Sequence, residues 1–89
     1  MNIELVSVMV LAYNAEKYIT DLLESIKKQT YQRLELVVSD DASTDNTVKI
    51  VEEWCKKNRD RFENIIVRKS EANQGVTKNA NLGYKECNG

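Results

Sequence analysis

Three short β-rich apolar runs, each followed by residues with helical periodicity, limit this chain to one kind of architecture. The runs are Leu5–Leu11, Leu34-Glu35-Leu36-Val37-Val38 and Ile65-Ile66-Val67. The first is almost continuously apolar, which is how a strand buried on both faces reads. Asn14 is then expected to cap a helix with Tyr18, Ile19, Leu22, Leu23 and Ile26 on one buried stripe. Ser43 or Thr44 is expected to cap a second helix carrying Val48, Val51, Trp54 and Cys55 on one side. A third, from about Gly75 to Glu86, would turn Val76, Ala80, Tyr84 and Cys87 inward. The order β-α-β-α-β-α predicts an α/β, Rossmann-like three-layer fold with a short parallel sheet. Right-handed crossovers give strand order 3-2-1 and leave the first strand at an edge, where self-association is a hazard.

Composition removes whole classes of chemistry. The chain has 89 residues, enough for one small domain, with 42% apolar and 30% charged residues. It has no histidine, which excludes Ser-His and Cys-His catalysis and imidazole zinc sites. Cys55 and Cys87 are too few for a four-cysteine metal site and read as small buried apolar residues. A net charge of −1 and a pI near 5.4 argue against nucleic acid as a partner. The basic stretch 56–61 is interrupted by Asp60 and reads as a solvated helix end. The run Leu5–Ala12 is far shorter than the roughly 20 residues of a spanning helix and lacks a positive leader. The expected location is the cytoplasm, with the parent protein there or at the cytoplasmic face of a membrane.

In parallel α/β sheets, ligands bind beyond the C-terminal ends of the strands. That rule selects Ala12–Ala15, Ser39–Asn46 and Ser70–Gly75. Neither the G-x-G-x-x-G fingerprint nor a P-loop is present, so a bound nucleotide would be held mainly through base and sugar. Tyr13, just past the first strand, either stacks on a planar base or covers the sheet edge. Asp40 and Asp41 follow the second strand directly, and a carboxylate there can accept the imide N–H of a pyrimidine. Successive residues point to opposite sides near a strand end, so at most one of the two faces a ligand. The other, with Ser43, Thr44 and Asp45, is expected to cap turns or the next helix.

At this point V-S-V-M-V-L-A-Y-N (6–14), S-I-K-K-Q-T-Y (25–31), L-V-V-S-D-D-A-S-T-D-N-T (36–47) and N-Q-G-V-T-K-N-A-N-L-G (73–83) together resemble the start of a family 2 glycosyltransferase. The blocks span nearly the whole chain, in the family's order and spacing. The resemblance implies that residues 1–89 are the N-terminal, nucleotide-binding part of a GT-A fold, cut before its metal and acceptor half. It implies a uracil pocket lined by Leu11, Ala12 and Tyr13, with Asn14 beside them and Tyr13 stacking. It gives Asp41 the base imide proton and Asp40 a structural role. Gly75 would let the backbone pass close to the nucleotide, and Lys78 is a candidate phosphate or ribose contact.

Leu11 and Ala12 stand where the family usually has proline and threonine, which removes a hydroxyl contact. Ala42 replaces the loop glycine, and Ala80 replaces an arginine before Asn81. The family continues into a strand ending in an acidic D-x-D or D-D motif that holds a divalent metal, Mg or Mn. No catalytic residue and no metal ligand is therefore assigned to this chain, which is expected to be inactive alone. The parent is expected to transfer a sugar from a UDP-type donor to a glycan, lipid or other acceptor. Two other readings compete. A receiver-like domain would need its paired acids after the first strand, where Tyr13-Asn14 stands. A ligand-free interaction module would show no response to nucleotide.

Overall fold

A computed structural model describes residues 3–89. Strand β1 (Val6–Ala12) is followed by helix α1 (Ile19–Lys27), β2 (Leu34–Asp40), α2 (Thr47–Lys57), a 3-10 turn (Arg59–Arg61), β3 (Asn64–Lys69) and α3 (Val76–Glu86). The strands are parallel in the order β1-β2-β3, with Val10 opposite Val38 and Val38 opposite Val67. The α/β order and the 3-2-1 sheet match the sequence expectation.

Position in the sheet decides how deeply each strand is buried. All seven residues of β2 are buried, because β2 has a neighbour on both sides. β1, expected to be covered on both faces, is mostly half-buried and Leu11 is 41% exposed. As an edge strand it is paired on one side only. It also begins and ends one residue later than Leu5–Leu11, because Asp41 N–H bonds the Ala12 carbonyl at 2.9 Å and carries the ladder onward.

The two faces of the sheet are chemically different. One carries Val10, Ala12, Leu34, Leu36 and Val38, with Val6, Val8, Ile65 and Val67 partly buried beside them. It packs on Ile19, Leu23 and Ile26 of α1 and Val51, Trp54 and Cys55 of α2, and Phe62 closes the edge with its ring centroid 5.9 Å from that of Trp54. Each buried aliphatic here is worth about 1.5–3 kcal/mol. Tyr18 and Leu22, expected on the α1 stripe, are 59% and 39% exposed. Asp21 in the first turn and Lys27 in the last complement the dipole of α1.

The other face mixes Ser7, Glu35, Ser39 and Arg68 with Met9, Val37 and Ile66 and is covered by α3. Here the apolar periodicity misleads. Val76 and Tyr84 are 76% and 73% exposed, while the buried residues of α3 are Asn79 and Gly83. Ser39 and Arg68 on this face offer hydrogen-bond partners that draw Asn79 inward, and the close approach to Met9 and Ser39 leaves room only for Gly83. A Cβ on Gly83 would lie 2.8 Å from both Met9 Sδ and Ser39 Cβ. Gly83→Ala is therefore expected to destabilise the chain by about 1–3 kcal/mol despite alanine's better helix propensity. Urea unfolding checks this; an unchanged or raised midpoint would show that α3 is not seated by this contact.

At the N-terminal end of the sheet the wholly buried Glu35 carboxylate collects four hydrogen bonds. Asn88 donates through its backbone N–H and Nδ2, both at 2.7 Å, Ser7 Oγ at 2.7 Å and Asn64 Nδ2 at 3.0 Å. Burial alone would raise its pKa, but the bonds from Asn88, Asn64 and Ser7 outweigh it and bring the value down to about 2. Burial pushes the Cys55 and Cys87 thiols up, and both are free. Among the described residues, no helix is long and apolar enough to cross a membrane.

Candidate functional site

The three loops at the C-terminal ends of the strands meet around a cleft of about 240 Å³. Its wall is built from Leu11, Ala12 and Tyr13 at the end of β1, Tyr18 before α1, Asp41 after β2, and Asn73, Gly75, Val76 and Asn79 at the start of α3. Leu11, Ala12, Tyr13, Asp41 and Gly75, singled out from sequence, thus come together. Asn73 lies in the selected segment Ser70–Gly75, whereas Tyr18, Val76 and Asn79 were not anticipated. The available signal was helical spacing, since Asn79 lies four residues beyond Gly75 and so on the same side of α3.

Asp40 and Asp41 diverge, as strand alternation requires. Asp40 turns back to hold the β2–α2 loop. Its Oδ2 accepts the Ser43 N–H at 2.9 Å and its Oδ1 the Ser43 hydroxyl at 2.6 Å. Ala42, between them, takes φ 63° despite its side chain. A left-handed non-glycine residue costs about 1–2 kcal/mol, which the two bonds from Ser43 to Asp40 offset.

Asp41 turns the other way and is 4% exposed. Its Oδ1 accepts the Gln74 N–H at 2.6 Å and its Oδ2 the Gly75 N–H at 3.0 Å. The carboxylate thus clamps the β3–α3 loop and keeps a lone pair on each oxygen. Gly75 has φ 88° and ψ 159°, a conformation that only glycine adopts readily, and this aims its N–H at Asp41.

Asn14 and Lys78 are not part of the wall. Asn14 does not cap α1; at φ 47° it bridges loops, accepting the Thr44 N–H on Oδ1 at 2.8 Å and donating its own N–H to Ser43 Oγ at 2.9 Å. Lys78 is exposed on α3. Neither Ser43 nor Thr44 caps α2. The N-cap position is Asn46, whose side chain makes no cap bond; Asp45, just before it, accepts the Thr47 N–H at 2.9 Å, while Ser43 is held by Asp40. Burial opposes ionisation of Asp45, but bonds from the Thr47 hydroxyl and N–H and from Glu16 N–H hold its carboxyl below the ordinary value. Thr47 Oγ1 in turn accepts the Ala15 N–H at 2.7 Å. The first two loops therefore form one braced rim.

Among the described residues, no group of three or more Asp, Glu, Cys or His side chains is placed to hold a metal ion. The donor set of the described residues does not fit a metal centre.

A parallel α/β sheet with a cleft beyond the C-terminal ends of its strands is the class of protein that fold and site define. Residues 7–89 match the profile of glycosyl transferase family 2, and the chain belongs to that family. Poly(ribitol-phosphate) beta-N-acetylglucosaminyltransferase TarS of Staphylococcus aureus is 43% identical over 86 residues, covering 93% of this chain and 14% of TarS. Chondroitin synthase of Escherichia coli is 36% identical over 88 residues, covering 98% of this chain and 12% of that protein. Among solved structures, the mannosyltransferase PcManGT from Pyrobaculum calidifontis, in complex with GDP-Man and Mn2+, superposes with TM-score 0.84 at 30% identity, over 91% of this chain and 24% of that one. The chain therefore spans only a small part of these relatives. Family membership does not favour the receiver-like and ligand-free readings.

Proposed function

We propose that this chain is the nucleotide-binding part of a glycosyltransferase whose donor is a nucleotide-sugar, of the UDP type. The observation that carries this is Asp41, a buried carboxylate in the cleft wall that is fixed by two loop N–H bonds and still has acceptor capacity. A base imide N–H is the complement of such a group. Tyr13, 48% exposed at the same cleft, offers the stacking surface. The metal-bound complex of PcManGT supports a divalent metal in the parent, held by residues other than those described here. Sugar transfer by the 89 residues alone is not expected. The acceptor, a glycan, lipid or other molecule, is not specified by this cleft. Among the described residues β1 pairs with a strand on one side only, which supports self-association as a further property of the chain. A cytoplasmic location, or the cytoplasmic face of a membrane for the parent, completes the reading.

Titrating the isotope-labelled chain with UDP tests the nucleotide site. Amide shifts are expected at Tyr13, Asp41 and Gly75, with weak affinity because base and sugar supply most of the contacts. Shifts confined to other surfaces, or none at saturating UDP, would reject the assignment.

A further inference from the structure

Asn79 enters the cleft wall from the first turn of α3 and is only 3% exposed. Its carboxamide cannot turn over. Nδ2 donates to the Ser39 carbonyl at 3.0 Å, while Oδ1 accepts from Ser39 Oγ at 2.5 Å and from the Arg68 guanidinium at 3.3 Å. A flip would set nitrogen against a guanidinium and oxygen against a carbonyl. Arg68 is itself held by Ser39 Oγ at 3.0 Å and Ser70 Oγ at 2.7 Å. All of its hydrogen-bond contacts among the described residues are to neutral oxygens.

This arrangement uses both acceptor positions of Oδ1 and one of the two protons on Nδ2. The second Nδ2 proton has no acceptor among the described residues. Burying an N–H without an acceptor is costly, so the wall presents a donor in need of an oxygen. Asp41, on the same cleft, is acceptor only and keeps a free lone pair on each oxygen.

We propose that Asn79 is a specificity-determining residue whose free Nδ2 proton is donated to a nucleobase carbonyl, beside the ring N–H taken by Asp41. The inference rests on the nucleotide reading above and goes further by naming the base edge. The edge required is a lactam, with a ring N–H next to a C=O. Uracil and guanine have it. Cytosine and adenine place an amino group beside an unprotonated ring nitrogen, which is the opposite polarity. Ser39 and Arg68 are positioning residues that fix the amide without touching the base.

The isotope-labelled chain titrated separately with UDP, GDP, CDP and ADP provides the test. With UDP or GDP, the Asn79 side-chain amide proton not bonded to Ser39 is expected to move downfield; with CDP and ADP it stays. Whichever of the UDP and GDP arms moves it further identifies uracil or guanine. Asn79→Asp, which turns the donor into an acceptor while keeping the Arg68 contact, is expected to weaken lactam-nucleotide binding about tenfold and to erase the preference over CDP. If Tyr13 and Asp41 respond to UDP or GDP while the Asn79 amide does not, the Asn79 assignment is wrong and the nucleotide reading stands. If no nucleotide perturbs the cleft, both fall. Should the variant not fold, the wild-type side-chain signal decides alone.

Discussion

Glu35→Ala is expected to lower the unfolding free energy by about 3 kcal/mol, a fall in Tm on the order of 15 °C for a chain of this size. The residue is wholly buried and its carboxylate accepts from Asn88, Ser7 and Asn64, so alanine removes four charge-assisted bonds at once. Two of them come from Asn88, just beyond α3, so the last turn of the helix should open first and its amides exchange faster. Glu35→Gln retains one oxygen as acceptor and is expected to lose less. The same group makes a signed pH prediction. Its folded pKa of about 2 lies below the ordinary 4.5, so its contribution is fully present above pH 4.5 and disappears as pH falls toward 2. Urea midpoints measured across that interval should drop more steeply for the wild type than for Glu35→Gln. Parallel slopes would show that the hydrogen-bonded carboxylate is not the source.

The strands were legible because apolar runs of three to seven residues between polar loops leave few alternatives, but the burial on both faces expected of β1 falls instead to β2, which has a strand on each side. The inward face of α3 was not legible from the helix itself. Val76, Ala80 and Tyr84 have the spacing of a buried stripe, yet which side turns in depends on what the sheet presents. Ser7, Glu35, Ser39 and Arg68 present hydrogen-bonding groups, so Asn79, at 3% exposed, is the better complement. The cleft followed the same division. Residues at strand ends, such as Ala12 and Asp41, could be placed by topology alone, whereas Tyr18 and Asn79 depend on helix rotation. Asn14 was drawn to the cleft by its position after β1, but the Thr44 N–H 2.8 Å from its Oδ1 holds it in the rim.

Asp41→Ala is expected to weaken nucleotide binding by about a hundredfold, since a hydrogen bond to a charged group in a desolvated site contributes roughly 1.5–3 kcal/mol. Two effects combine in that loss, and a pair of variants separates them. Alanine removes the base acceptor and also the acceptor that holds the Gln74 and Gly75 N–H groups. The β3–α3 loop should then loosen, and stability should fall by about 1–3 kcal/mol. Gly75, at φ 88°, would lose the bond that keeps its N–H turned inward. Asparagine keeps one acceptor for the loop but sets an amide N–H against the other donor, so it should protect one of the two amides from hydrogen exchange and expose the other. Its base-facing side can no longer accept from a ring N–H wherever its own NH2 points into the cleft. The prediction is therefore a split: exchange faster at both Gln74 and Gly75 in alanine but at only one of them in asparagine, with UDP affinity lost to a similar degree in each. If asparagine restores the loop and binds UDP as the wild type does, Asp41 acts only as a clamp, and the base must be read by other groups in the cleft.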